Sequence, residues 1–359
     1  MKIESEVAAN IVSIDDAIKI AESFEGMKED KDNNSKNLRV KDDKPKKVKE
    51  TKVLKSKNGV PNIYILNYED AGFMIMSADE RFIPVLAYVE DGKNFSEESR
   101  KQNYGLHDWL NQISEMITNI QEGKTKPIEG VEALWNKQRD GAWFKTKKGR
   151  NTACYGYLNI VPPLLSTQYH QFYPYNSNLN AGTCFSFYPW QGKPPVGCVA
   201  TAITQLMAYH DQPNYNWNDM NSIANANRDV GLSVYTQYDC FNSIVNTSDI
   251  PQGLSNFGFY GQSWYYVPYG ISPIENDLLS NRPVLLRADD PNQTVGHAWL
   301  ADGVWAYHQA CPQAETFHLH MNWGFLDGDY NGWYFSTNWN SNANYTINQY
   351  ALVNINKSW

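Results

Sequence analysis

Apolar and polar positions alternate in three different ways along this chain, and each predicts a different kind of element. Ser13-Ile14-Asp15-Asp16 leads into the amphipathic run Ala17 to Phe24, with Ser13 as N-cap and acids in the first turn, which predicts a helix ending at Gly26. Lys28 to Gly59 is mostly charged, with Lys44-Pro45-Lys46-Lys47-Val48-Lys49 at its centre. It carries too little apolar surface to offset ordering entropy and reads as a loop, a basic patch for an acidic partner being the alternative. Asn62 to Tyr68 and Gly72 to Ser77 are β-prone runs joined by Glu69-Asp70-Ala71, a hairpin signature, and Phe82 to Val89 supplies a third strand. One long helix follows, Glu97 to Gln121, so the N-terminal part reads as α+β with an antiparallel sheet. Beyond Leu158 the pattern is turn-rich, with a helix beginning beside Cys198 and short aromatic strands towards the C-terminus.

Charge divides the same chain in two. Residues 1–150 hold 26 of the 31 Lys and Arg and 26 of the 39 Asp and Glu, whereas residues 151–359 hold 5 and 13, a net of −8, with nine of the twelve Trp. A small, highly charged unit therefore precedes a larger, acidic, aromatic-rich body, which argues against nucleic acid as a partner. Residues 124–150, rich in Lys, Arg and Gly, lie where the composition changes and read as an exposed proteolytic hinge or an interdomain linker. No apolar run approaches the ~20 residues of a membrane-spanning helix, and Met1 to Glu6 lacks the apolar stretch of a signal peptide. The five Cys (Cys154, Cys184, Cys198, Cys240, Cys311) show no zinc spacing, and their odd number leaves at least one thiol free.

Cys198 is the thiol with a reason to react. Pro194-Pro195-Val196-Gly197 ends any preceding element, and Val199, Ile203, Leu206 and Met207 then share one helical face. The thiol thus sits in the first turn of a buried helix, where the helix dipole favours a thiolate. A Cys standing alone is more often a small core residue. Among six His in the second part, His297 opens the apolar strand Val295-Gly296-His297-Ala298-Trp299-Leu300, beside a glycine that lets another backbone approach. His318-Leu319-His320 puts two imidazoles on one strand face, but no acid or Cys at suitable spacing completes a metal site, and no metal or cofactor is expected.

Gly197-Cys198-Val199-Ala200-Thr201-Ala202, continuing to Met207-Ala208-Tyr209-His210, then Gly296-His297-Ala298 with Asp302-Gly303, then Asn322-Trp323-Gly324, resembles the streptopain family of papain-like cysteine peptidases. Gln171-Phe172-Tyr173-Pro174-Tyr175-Asn176 matches the family's oxyanion segment, and Gly72 to Asp79 with Pro84 to Tyr88 is similar to its propeptides. The resemblance implies an α+β pro-enzyme: an inhibitory pro-domain over 1–125, an activation region over 126–152 and a papain-like peptidase domain over 153–359. It implies Cys198 as nucleophile, His297 as general acid/base, Gln171 in the oxyanion hole, Trp323 orienting the His and Asn322 in a secondary role. Phe325 stands where the family often has a second Trp. Asp302, five residues from His297, falls on the opposite strand face and is assigned a turn with Gly303. Implied partners are protein or peptide substrates, the chain's own pro-domain and an activating protease. The implied location is secreted, periplasmic or cell-surface, the signal peptide being absent from this sequence. Two other readings remain: a transglutaminase-like acyl transferase on the same fold, and a non-catalytic aromatic-rich binding protein.

Overall fold

The computed structural model describes residues 9–24, 46–102, 104–140, 156–180, 182–267, 270–289, 296–310, 313–336 and 349–359. Its N-terminal unit is an antiparallel meander of β1 (Val48–Lys55), β2 (Pro61–Tyr68), β3 (Phe73–Ser77) and β4 (Val85–Val89). β3 and β4 are buried along their whole length, so the sheet is covered on both faces. Helix α1 (Ile14–Ser23) packs on it through Ala17, Ile20 and Ala21, with the Ser13 hydroxyl accepting from the Asp16 amide as the sequence predicts. The helix ends at Ser23 rather than at Gly26, which lies outside the described residues.

Other boundaries differ from the sequence reading. The charged stretch after Lys28 contains β1, the edge strand of the sheet, whose Lys49, Glu50 and Lys55 are exposed while its other residues are partly buried. The helix expected over Glu97 to Gln121 is described as α2 (Glu97–Gln102) and α3 (Tyr104–Gln121), on either side of residue 103, which lies outside the described residues. Helix α4 (Val131–Arg139) occupies the middle of the expected hinge, held to the N-terminal unit by the Trp135 indole, which donates to the Phe82 carbonyl at 2.9 Å, and by Arg139 paired with Asp16 and Glu80. Residues 141–155, which include Cys154 and the Lys145 to Arg150 run, lie outside the described residues, as does Cys311.

The C-terminal unit continues the same sheet. Its elements are β5 (Gly156–Val161), α5 (Cys198–Tyr209), α6 (Met220–Ser233), α7 (Asp249–Asn256), β6 (Phe259–Tyr260), β7 (Ser263–Tyr266), α8 (Ser272–Leu279), β8 (Val284–Asp289), β9 (Gly296–Ala310), β10 (Gln313–Asn322), β11 (Gly332–Ser336), β12 (Tyr350–Val353) and β13 (Asn356–Lys357). The strand order β1-β2-β3-β4-β11-β10-β9-β8-β12-β7 runs through both units, joined where β11 pairs β4 with Trp333 opposite Tyr88. Two hydrophobic clusters lie on either side of this sheet. One joins Trp299, Ala301, Met321, Trp323 and Tyr334 to Leu106, Trp109, Leu110 and Ile113 of α3. The other joins Ala298, Leu300 and Leu285 to Ala200, Ile203 and Leu206 of α5. α3 and α5 thus cover opposite faces of β8 and β9.

Candidate active site

Cys198 opens α5. Gly197 before it has φ +92°, a conformation that side chains rarely adopt, and no side chain caps the helix, so the first-turn amides point at the thiol. The half-buried Cys198 is a free thiol among the described residues. Burial pushes its pKa up, and the amides of Ala298, Val199 and Cys198 itself, with the charge of Arg287, only partly offset this. The thiol of this state therefore stays protonated near neutral pH. Cys184 and Cys240 form a disulfide.

His297 is the second residue of β9 and lines the same cavity as Cys198. Its ring nevertheless faces the other way. Nε2 lies 3.1 Å from the Trp323 carbonyl oxygen and donates to it, and the ring stacks on Trp299 at 5.7 Å and tilts against Phe325 at 5.2 Å. By strand alternation His297 goes with Trp299 and Ala301 towards α3, whereas Ala298 and Leu300 go towards α5 and Cys198. Burial drops its pKa to about 4, the Trp323 carbonyl opposing this weakly.

The first turn of α3 closes over this imidazole. Gly105 approaches so tightly that an added Cβ would stand 2.6 Å from Trp323 Cζ3 and 3.0 Å from His297 Cδ2. Only glycine fits. A turn further on, the Trp109 indole donates to the Phe335 carbonyl at 3.0 Å and packs edge-on against Tyr334. His318 adds a second tie between the units, its Nε2 3.0 Å from the Val85 carbonyl of β4.

Gln171 is tied to the segment before Cys198 by backbone: its carbonyl accepts from Val196 N at 2.8 Å, two residues before Cys198. The segment leading to it is fastened by Gln205, a buried residue of α5 that sequence reasoning passed over. Gln205 Oε1 accepts from Thr167 Oγ1 (3.1 Å), Tyr169 N (3.0 Å) and Asn322 Nδ2 (3.2 Å), while its Nε2 donates to Asn322 Oδ1 (3.1 Å). Asn322 also donates to the Thr167 carbonyl at 2.9 Å. Its side chain therefore belongs to this network and not to His297. Trp323 touches His297 through its carbonyl oxygen, its indole being packed between Trp299 (4.8 Å) and Tyr334 (5.2 Å). The signal for Gln205 was a long amide side chain on a helix of apolar residues and threonines, four positions after Thr201.

Asp302 is not in a turn. It sits inside β9 at a bulge, where His320 pairs with Gly303 and Met321 with Ala301, and its carboxylate accepts from Leu165 N and binds His320 Nδ1 at 2.6 Å. His318 and His320 thus spend a ring nitrogen each on separate partners, and among the described residues no His, Cys, Asp and Glu cluster is arranged to hold a metal ion.

Comparison with known proteins agrees with these two units. The Spi protease inhibitor profile matches residues 9–117, and the Peptidase C10 family profile matches residues 169–221 and 214–334. Streptopain of Streptococcus pyogenes serotype M1 is 24% identical over 326 residues, 74% of this chain and 71% of its own length. The thiol protease/hemagglutinin PrtT of Porphyromonas gingivalis is 24% identical over 310 residues, 71% of this chain but only 32% of PrtT. A solved fragment of Prevotella intermedia prointerpain A shares the fold with a TM-score of 0.58 at 21% identity, covering 84% of this chain and 97% of that one. The expected architecture holds: an α+β inhibitor unit ahead of an α+β catalytic domain.

Proposed function

On the premise that this chain belongs to the Peptidase C10 family of cysteine peptidases, with a Spi inhibitor-like unit at its N-terminus, we propose that it is a latent endopeptidase whose latch is the position of His297. Cys198 is the nucleophile that attacks the substrate carbonyl, forming an acyl-enzyme. His297 takes the thiol proton and returns it to the leaving amine. The Gln171 amide and the Cys198 N–H hold the developing oxyanion. Water then hydrolyses the acyl-enzyme with His297 as base.

The observation that carries the latent state is the contact of Gly105 with His297 and Trp323. Helix α3 keeps the imidazole on the Trp299 face, neutral and bound to a carbonyl, while Cys198 on the α5 face remains a protonated thiol. Neither partner can charge the other across the sheet. Loss of the N-terminal unit, by self-cleavage or by another protease in the stretch 126–152, opens the face that α3 covers. The Cys184–Cys240 disulfide favours an oxidising, extracytoplasmic setting.

Limited trypsin treatment followed by N-terminal sequencing and a casein assay tests this reading. Activity should appear together with a new N-terminus between residues 126 and 152, and E-64 should label Cys198 in the cleaved chain far faster than in the intact one. Casein hydrolysis that survives Cys198→Ala, or equal labelling of intact and cleaved chains, sinks it. A transglutaminase-like reading would instead show ammonia release from glutamine peptides.

A further inference from the structure

Phenylalanine rings belong in a core, yet one surface of the catalytic domain holds several of them out in water. Phe185 touches Phe187 (5.3 Å), Trp190 (5.2 Å) and Phe241 (5.5 Å), and Phe187 touches Trp190 (5.5 Å), so the rings form one contiguous patch. Phe187 nevertheless leaves 59% and Phe241 71% of its surface exposed. Contiguous apolar surface of this kind marks an interaction site.

The backbone that carries the rings is fixed. The Cys184–Cys240 disulfide cross-links its two segments, and the Trp190 indole donates to the Cys240 carbonyl at 2.7 Å. Cys184 N donates to the Gly192 carbonyl at 3.1 Å, Gly192 N to the Phe185 carbonyl at 2.7 Å, and Phe241 N to the Asp239 carboxylate at 2.9 Å. The buried Asn176 amide donates to the Trp190 and Pro194 carbonyls at 3.1 Å each. Rings presented on such a frame lose little conformational freedom when a partner covers them.

Both segments lead into the candidate active site. Phe172, next to Gln171, packs on Trp190 at 5.4 Å. Ser243, two residues after Phe241, lies against the residue before the nucleophile: its hydroxyl donates to the Pro195 carbonyl at 2.6 Å, and a Cβ added to Gly197 would stand 3.3 Å from Ser243 Cβ. The Phe241 Cα is thus within ~17 Å of Cys198, about five residues of extended chain. A polypeptide lying in the cleft of a peptidase reaches that far. A sugar suits the patch less. Phe185 meets Trp190 and Phe241 edge-on, at 76° and 67°, which leaves no flat stacking platform, the Phe rings offer no hydrogen bond, and the Trp190 N–H is already spent.

Resting on the peptidase reading above, we propose that this aromatic patch is an exosite for the polypeptide substrate, binding an uncharged apolar segment about five or more extended residues from the scissile bond. It favours long, unfolded substrates over short peptides, because a folded protein keeps such segments buried.

The test uses the cleaved, active chain and a casein fragment that it hydrolyses, remade as three internally quenched peptides. One spans about three residues on each side of the cleaved bond; the others add arms of about eight residues, long enough to reach the patch, made either of Leu and Phe or of Ser and Gly. The apolar arms should lower KM by roughly five- to tenfold against the Ser and Gly arms with kcat little changed, the size of one interface hot spot. Phe187→Ser and Phe241→Ser, both at exposed positions, should each bring that ratio towards one, with the short peptide as internal reference. Equal KM for the two long peptides in the native chain overturns the proposal. So does a loss by the same factor on all three peptides in both variants, because the rings then only support the cleft. Retention of the native chain but not of Phe241→Ser on immobilised chito-oligosaccharide, with the KM ratio unchanged by the substitution, also overturns it and assigns the patch to glycan. If the cleaved native chain hydrolyses no peptide and takes no E-64, the peptidase reading falls and this one with it; hydrolysis without gain from apolar arms removes this one alone.

Discussion

Replacing Gly105 by alanine should loosen the latch without touching the catalytic domain. The new Cβ would stand 2.6 Å from Trp323 Cζ3 and 3.0 Å from His297 Cδ2, against the ~3.5–4.0 Å of an ordinary carbon contact. Trp323 cannot yield, being fully buried between Trp299 and Tyr334. Helix α3 must therefore withdraw by about 1 Å, an overpacking that costs ~1–3 kcal/mol. Alanine returns up to ~1 kcal/mol of helix propensity, less in the first turn. A net ~1–2 kcal/mol raises the released population about 5- to 30-fold. The assay is the rate at which E-64 labels Cys198 in the intact chain. After cleavage, Gly105→Ala should match the native protein in specific activity, since the proposed cleavage removes residue 105. Labelling of intact Gly105→Ala at the native rate, with a lowered melting temperature, would refute the reasoning: the contact would then be packing and not a restraint on His297.

Acid should release the latch as well: burial holds His297 and His318 down at about 4, against ~6.5 for an ordinary imidazole. Between those values the latched state binds fewer protons than the released one, so its stability is complete above about pH 6.5 and is lost as pH falls towards 4, by up to ~3 kcal/mol per His. E-64 labelling of the intact chain, normalised to the cleaved chain, should rise from pH 7 to 5; a flat ratio contradicts this. Gln171→Ala should lower kcat by ~10²–10³ while leaving alkylation of Cys198 largely intact, and an unchanged kcat would remove Gln171 from the oxyanion hole. Asn322→Ala strands the Gln205 amide and the Thr167 carbonyl, so a loss of ~1–3 kcal/mol in stability with a normal pH–rate profile is expected. A shifted profile at unchanged stability would instead make Asn322 a partner of His297.

The parts of the fold that the sequence disclosed are those whose side chains face one environment. β2, β3 and β4 are runs of Val, Ile, Met and Tyr with turn residues between them, and α1 has both a cap and an apolar face. β1 was hidden because an edge strand tolerates Lys and Glu, which in isolation look like loop. α4 carries Val131, Leu134, Trp135 and Gln138 at helical spacing, but the Lys- and Gly-rich flanks masked the period. At the site, Cys198, His297 and the segment of Gln171 were legible because their chemistry is local: a helix start, a strand start, a turn. Gln205 and the pairing of β4 with β11 were not, since each is defined by residues more than 30 positions away and leaves no mark on its own neighbours. Nor does any local pattern tell that the His297 ring lies on the face opposite Cys198.

Where His297 sits in β9 decides whether such a latch can open. A residue in mid-strand changes face only when the whole register slips, which turns over every side chain along with it. His297 is the second residue of its strand, paired with Ala288 next to the terminal Gly296–Asp289 pair. On the proposed mechanism, torsion changes at Gly296 and His297 would carry the ring to the other side, at the loss of one or two ladder bonds of ~1 kcal/mol each. The restraints against that turn are of similar size: one bond to the Trp323 carbonyl and the packing of Gly105. Removing α3 takes away the second of these and leaves the first, made within the catalytic domain, alone against the turn. Once water reaches the ring its pKa climbs from about 4 towards the ordinary imidazole value, and an imidazolium beside Cys198 lowers the thiol that burial had raised. On the proposed mechanism, a single cleavage outside the catalytic domain would thus move both groups in the direction that forms the ion pair, without any change to the residues that form it.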